Sequence, residues 1–232
     1  MLIDIIILAI VTFFIFVKLN KTIGKIDEDD KISIQQKIQK QKEQLANILA
    51  SQYNKNNTQS EPVEVLVGSS NTLSALSAVF PNLSNSSIEN LQIIFEKSNI
   101  DHNFFLKGAK MTFEIIINNF ATGNIVALQP LLSPEILEQF QKAINKRKEQ
   151  QQSLTTNLIA LDETTIIASS INGDLANIVV KFSSRQINYI CDLQNKVISG
   201  NKDQILNITD NWTFQRNLTS PSPAWLVIST NS

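Results

Sequence analysis

The sequence predicts an α+β fold, with helices packed on one face of a curved antiparallel sheet, preceded by an N-terminal transmembrane helix and a helical stalk. Three observations carry this reading. An apolar run stands at the front of the chain, helical periodicity occupies its middle, and the period shifts towards two after Thr155. Several helices followed by a run of strands argue for α+β rather than for alternating strand and helix.

The front of the chain reads as a membrane anchor over 1–19. Ile5 to Val17 is apolar throughout except for Thr12, and extending the run from Leu2 to Leu19 takes in only Asp4 and Lys18. As a helix that span reaches roughly 27 Å, just enough for a hydrocarbon core of about 30 Å. Asp4 is tolerable because it lies at the interface rather than at mid-bilayer. A cleaved signal peptide would carry a basic leading region and small residues at its cleavage site, and neither is present. A buried core helix would be amphipathic, whereas this run is apolar on every face. Lys18, Lys21 and Lys25 follow the run and no basic side chain precedes it. The positive-inside rule therefore leaves the rest of the chain in the cytoplasm. The abundance of Ile, Asn and Lys is that of an AT-rich bacterial genome, which makes the expected location a bacterial inner membrane crossed once.

A polar helical stalk is expected over 20–56. Asp27 to Asp30 form a short acidic cluster, and Lys31 to Tyr53 then lack Gly and Pro. Ile34, Ile38, Leu45, Ile48 and Leu49 make one sparse apolar stripe, too short for a committed coiled coil. Residues 57–86 are rich in Asn, Ser and Thr and contain Pro62 and Pro81. They read as a linker, interrupted by the apolar stretches Val63–Val67 and Leu73–Phe80.

The domain proper is expected over 87–232. Ser87 can cap a helix through Ile88–Lys97, and Asp101 can cap the next. That second helix aligns Phe105, Ala109, Phe113 and Ile116 or Ile117 on one face, with Phe120 closing it and Gly123 stopping it. Ser133, Pro134 and Glu135 open a third helix, with Leu137, Phe140 and Ile144 as its buried stripe. Lys146, Arg147 and Lys148 crowd its end, where cations complement the helix dipole; acidic-lipid contact is the functional alternative. Strands are expected at Leu158–Leu161, Thr164–Ile171, Ile178–Phe182, Ile187–Asp192, Gln204–Arg216 and Trp225–Ser229. Asn172-Gly173 marks a hairpin turn. A sheet and helices so arranged can enclose an apolar pocket, and the sequence leaves open whether side chains fill it.

The composition excludes several functions. A net charge of -1 gives no global attraction to nucleic acid. One cysteine and one histidine, Cys191 and His102, allow neither a disulfide framework nor a zinc site, and no cofactor or metal is expected. No Gly-x-Ser-x-Gly elbow, phosphate loop or His-Glu-x-x-His motif occurs. Cys191 lies in an apolar strand context that favours a buried, inert thiol. His102 reads as a polar residue near a helix start. Glu114 and Asp210 are the carboxylates an acid–base site would use, but no constellation accompanies them, so an enzyme is not expected.

Phe105-Leu106-Lys107-Gly108-Ala109, followed by Phe113-Glu114, resembles the opening helix of the Tim44-like domain. Phe120-Ala121-Thr122-Gly123-Asn124, Leu131-Leu132-Ser133, Phe140 and Ala143-Ile144 continue the likeness in order. So do Val180-Lys181-Phe182, Asp210-Asn211-Trp212-Thr213-Phe214-Gln215-Arg216 and Pro223-Ala224-Trp225-Leu226. The resemblance runs from about Ile88 to the end. Asn124, Asn195 and Ser222 depart from the family at turn positions, where Asp, Gly and Asp are usual. The anchor resembles that of bacterial members rather than the mitochondrial import-motor tether.

The resemblance implies a membrane-anchored adaptor that tethers a protein partner near protein translocation or membrane-protein assembly. A DnaK-type chaperone or a translocon component is the kind of partner implied. The alternative is a lipid or apolar-ligand binding domain. Candidate pocket or partner-contact residues are Phe105, Phe113, Phe140, Trp212, Phe214 and Trp225, and candidate acidic-lipid contacts are Lys146, Arg147 and Lys148. Trp212 and Phe214 should alternate onto one sheet face. Gly108 and Ala109 should let their helix approach the sheet, and Arg216 should find an ion pair with Asp210 or Asp192.

Overall fold

The computed structural model describes residues 71–231. The expected anchor over 1–19, the stalk over 20–56 and residues 57–70 of the expected linker lie outside them. No described helix is long and apolar enough to cross a membrane. Five helices come first: α1 (Leu73–Val79), α2 (Asn85–Ser98), α3 (His102–Thr122), α4 (Ile125–Leu128) and α5 (Pro134–Glu149). Five strands follow: β1 (Ser153–Asn172), β2 (Leu175–Cys191), β3 (Val197–Gly200), β4 (Leu206–Asn217) and β5 (Leu226–Asn231). Helices packed against an antiparallel sheet make the α+β fold that the order of periodicities implies.

Within the stretch expected as linker, Leu73–Phe80 provides α1, and both Leu76 and Phe80 are buried in the core. Thr72 caps it, accepting a hydrogen bond from the Ala75 backbone N–H. The cap of α2 is Ser84 rather than Ser87. Ser84 has the extended backbone a cap needs, and its hydroxyl accepts from the Ser87 N–H at 3.2 Å. Ser87 instead lies inside the first turn, where its carbonyl accepts from the Ser169 hydroxyl of β1 at 2.6 Å.

Asp101 caps α3 as expected, accepting from the Phe104 N–H at 2.7 Å. Gly123, at φ 74, ends that helix in the left-handed conformation. Phe105, Ala109, Phe113, Ile116 and Asn119 form a buried stripe spaced by three or four, with Thr112 beside it. Ser133 caps α5 with Pro134 in the first turn, and Ile136 and Ile144 are its buried residues. Leu137 and Phe140 pack against the core while half-buried. The Glu135 carboxyl is held below the usual range, first by its own backbone N–H and then by the Ser133 hydroxyl.

The strand order is β1-β2-β4-β5, all antiparallel, with β3 pairing the end of β2 in line with β4. The two strands expected at Leu158–Leu161 and Thr164–Ile171 are one. Shifts of register at Leu158/Ala160, Leu161/Glu163 and Ile166/Ala168 bend β1 without ending its pairing. Ile178–Phe182 and Ile187–Asp192 likewise merge in β2. The hairpin turn is displaced by one residue from the sequence signal. Asn172 pairs with Leu175, so Gly173 and Asp174 are the loop, with Gly173 at φ 59. At the other sheet edge, the Val227 N–H donates to the Leu131 carbonyl at 2.8 Å and the Ser133 N–H donates to the Val227 carbonyl at 2.9 Å. The chain leading into α5 thereby covers part of the β5 edge.

Ala176, Ile178, Val180 and Phe182 point inward from β2 and are wholly buried, beside Trp212 and Phe214 of β4 and Val227 of β5. The same face turns polar beyond Phe182. Ser184, Gln186 and Asn188 remain buried, with the Gln186 amide donating to the Ser184 hydroxyl at 2.8 Å and the Asn188 amide donating to Gln186 at 3.2 Å. The opposite face carries ion pairs of Lys181 with Glu163 and Arg185 with Asp162, both at 2.9 Å.

Two glycines have opposite roles. Gly108 has nothing within 4 Å of where a Cβ would stand, so the close approach of α3 to the sheet rests on Ala109 and not on Gly108. At Gly200, φ 78, a Cβ would meet the Asn188 carbonyl oxygen at 2.2 Å. Gly108→Ala should therefore raise stability by about 0.5–1 kcal/mol through lower unfolded-chain entropy. Gly200→Ala should lower it by more than about 2 kcal/mol, because strained backbone and a backbone clash coincide. Urea unfolding of both variants followed by tryptophan fluorescence checks the pair, and equal effects would contradict the assignment.

Candidate functional site

The interior between α3 and the sheet gathers most of the residues singled out by sequence. The Phe113 ring stacks on Phe182, with centroids 4.5 Å apart and an angle of 21°. It also lies 4.8 Å from Trp212, which meets Phe182 edge-on at 5.6 Å. Nearer the start of α3, Phe105 is 5.7 Å from Phe214, 5.1 Å from Trp225 and 6.0 Å from Phe95. Phe105, Phe113, Trp212, Phe214 and Trp225 thus belong to one aromatic cluster. Trp212 and Phe214 share a sheet face as their alternation requires. Phe113, Phe182 and Phe214 are no more than 2% exposed. Where these rings meet, the interior is filled by protein.

Phe140 stands outside that cluster, against Phe120 at 4.8 Å. Arg147 completes this second group, with its guanidinium 4.5 Å from the Phe120 ring centroid and one of its N–H groups donating to the Phe120 carbonyl. Burial pushes its pKa down to about 10, so the side chain is still a cation at neutral pH. Arg147 therefore satisfies a terminal carbonyl of α3 rather than of its own helix. Lys146 and Lys148 remain exposed, so the three basic residues do not face one lipid surface together.

Other side chains resolve more simply. The described ion pairs join Lys142 to Glu138, Lys181 to Glu163 and Arg185 to Asp162, and Arg216 is in none of them. Asp192 is occupied in its own turn, accepting from the Gln194 and Lys196 N–H groups at 2.9 and 3.0 Å. Asp210 is buried on the inward face of β4. Cys191 is buried at the end of β2, and desolvation raises its pKa, which leaves the thiol protonated and unreactive at neutral pH. His102 does stand at a helix start, as the first residue of α3, where it is buried and edge-on to Phe80 at 5.7 Å. No group of metal-ligating side chains occurs among the described residues.

The polar row Ser184–Gln186–Asn188 had a sequence signal that went unused. Its members alternate in step with Ile178, Val180 and Phe182, so they had to face the same way. The three departures from the family pattern keep turn functions. Asn124 accepts from the Ala127 N–H, Ser222 accepts from the Ala224 N–H, and Asn195 adopts φ 59 in the position a glycine would take.

Residues 92–232 match the Tim44-like domain, and the chain belongs to that family. The family relates it to proteins that act as tethers in protein translocation. No curated protein matches the sequence. Among solved structures, the intermembrane space region of the chloroplast protein ARC6 is similar at 12% identity and a TM-score of 0.38, covering 54% of this chain and 94% of that one. TsrD from Streptomyces laurentii is similar at 19% identity and a TM-score of 0.24, covering 53% and 84%. The family membership does not draw on either likeness.

Removing the central ring should be costly. Phe113→Ala should destabilise by about 3–5 kcal/mol. Arg147→Ala should lose about 1–3 kcal/mol, because the Phe120 carbonyl loses its charged donor and keeps only the longer bond from the Gly123 N–H at 3.3 Å. Lys146→Ala and Lys148→Ala should each change stability by less than about 0.5 kcal/mol. Chemical denaturation of the four variants measures all of these, and equivalence of Arg147 with its neighbours would refute its separate placement.

Proposed function

We propose that this chain is a membrane-anchored adaptor, which tethers a protein partner at the cytoplasmic face of a bacterial inner membrane during protein translocation or membrane-protein assembly. The observation that carries this reading is the match to the Tim44-like domain over residues 92–232. The apolar run over 2–19 supplies the anchor, and the lysines that follow it set the topology. An interior filled with aromatic rings where α3 meets the sheet favours recognition by the domain's outer surface over capture of a ligand inside. Tethering raises the effective concentration of both partners without a chemical step, so the function needs no catalytic group. A partner of the DnaK-chaperone or translocon-component kind accords with this placement.

Crosslinking in intact cells, followed by pull-down from solubilised membranes, should recover such a partner. Recovery of nothing beyond background would overturn the adaptor reading. Native mass spectrometry of the full chain in detergent addresses the competing role in lipid or apolar-ligand binding: a retained lipid of fixed mass would favour it. The topology has a separate check. Protease added to inverted inner-membrane vesicles should destroy residues 71–231, and full protection would reverse the orientation.

A further inference from the structure

The register of β4 and β5 pairs Phe214 with Val227 and Gln215 with Leu226. Extended one step, past the start of β5, that register sets Arg216 beside Trp225, and the alternation that turns Phe214 and Val227 inward turns these two inward as well. The contact of Trp225 with Phe105 at 5.1 Å agrees with that orientation. The pair therefore lies at the end of the aromatic interior beside the start of α3. Each residue holds a buried N–H without an acceptor: Nε of Arg216 and Nε1 of Trp225. The nearby hairpin turn, whose Asp174 carbonyl accepts from the Leu218 N–H at 2.9 Å, forms no ion pair with Arg216 either.

Neither residue is explained by packing alone. An arginine at a strand end ordinarily stands in water or meets a carboxylate, and a buried indole N–H ordinarily finds a partner. Two neighbouring donors left unpaired cost on the order of 1–3 kcal/mol each. Burial without a counter-charge also pushes the Arg216 pKa down, the opposite of what a bound anion does. A half-buried guanidinium keeps its outer end within reach of a ligand, and its planar fork offers parallel N–H groups to two oxygens. The indole adds a donor from the adjoining chain segment.

We propose that Arg216 and Trp225 form a seat for an oxyanion, a carboxylate or phosphate group, which supplies the acceptors that the fold leaves out. Seating it requires a rotamer change that brings Nε of Arg216 towards the anion. The seat is independent of the tethering reading, since a small anion and an acidic group on a larger molecule present the same oxygens.

The chain has only two tryptophans, Trp212 and Trp225, so its indole N–H groups give two distinguishable nitrogen-15 signals. The full chain in detergent micelles is titrated with sodium acetate and with inorganic phosphate, and sodium chloride at matched ionic strength is the control. The Trp225 signal, assigned by its loss in Trp225→Phe, should shift saturably with acetate or phosphate and not with chloride, while Trp212 stays in place. Arg216→Gln should raise the apparent Kd by at least about tenfold. The tighter of the two anions identifies the oxygen chemistry preferred. No shift with either anion, the same shift with chloride, or an unchanged Kd in Arg216→Gln overturns the seat. If Arg216→Gln displaces the Trp212 signal as well, Arg216→Lys decides. It keeps the charge without Nε, so weaker binding supports the two-donor seat and unchanged binding refutes it.

Discussion

The contact of Phe113 with Phe182 and Trp212 sets where α3 lies, and the rest of the domain is arranged around α3. Phe105 meets Phe214, which pairs with Ile178, and Phe113 meets Phe182. Eight residues of helix between the two phenylalanines advance about 12 Å. Four residues of strand between Ile178 and Phe182 advance about 13 Å. The two repeats are commensurate, so the rings of α3 reach β2 and β4 in register at both points, while the helix backbone itself lies closest to β1. Ring pairs of this kind add about 0.5–1.5 kcal/mol each beyond the area they bury. They also fix the helix axially, which dispersed aliphatic contacts do less well.

That registration explains why the interior changes character where it does. The stripe of α3 continues past Phe113 to Ile116 and Asn119, and Asn119 lies about 9 Å further along the helix. This brings it level with the part of β2 where Phe182 gives way to Ser184 and Gln186. Helix and sheet thus turn polar at the same level. The end of α3 is then held from outside by Arg147, whose cation adds a charged donor to the Phe120 carbonyl beside the bond it already accepts from the Gly123 N–H. α5 depends on this contact as much as on Ile136 and Ile144, because its apolar stripe is short.

The sequence made the caps and the aromatic face legible because each depends on residues close together in the chain. Asp101, Gly123, Ser133 and Pro134 act within one turn of themselves, and the stripe from Phe105 to Ile116 needs only the helical period. Strand boundaries were less legible. A bulge at Asp162 interrupts alternation just as a strand end does, so β1 read as two pieces. The cap of α2 was read at Ser87, three residues late: Ser84 takes the cap, and the Ser87 carbonyl is engaged by the Ser169 hydroxyl of β1. Arg216 and Arg147 were misjudged for a common reason. Arg147 meets a carbonyl far away in sequence and Arg216 meets no carboxylate, and an arginine carries no local signal for either outcome.

Several buried groups without partners lie near the two ends of α3. Near its start are Nε of Arg216, Nε1 of Trp225, Oδ1 of Asn71 and Nδ1 of His102; towards its end are Oδ1 of Asn119 and Oδ1 of Asn188. Each costs on the order of 1–3 kcal/mol if left unmet, comparable to what one fully buried phenylalanine contributes. The aromatic centre can offset such costs at both ends, but only because its rings are fully enclosed. Unpartnered polarity at both ends is not what close packing alone would select, since apolar residues of similar volume would be cheaper at every one of these positions. The start of α3 is the end at which a cation, an indole and a helix terminus come together. It is there, and not in the filled centre, that the fold is best suited to meet a charged group from outside.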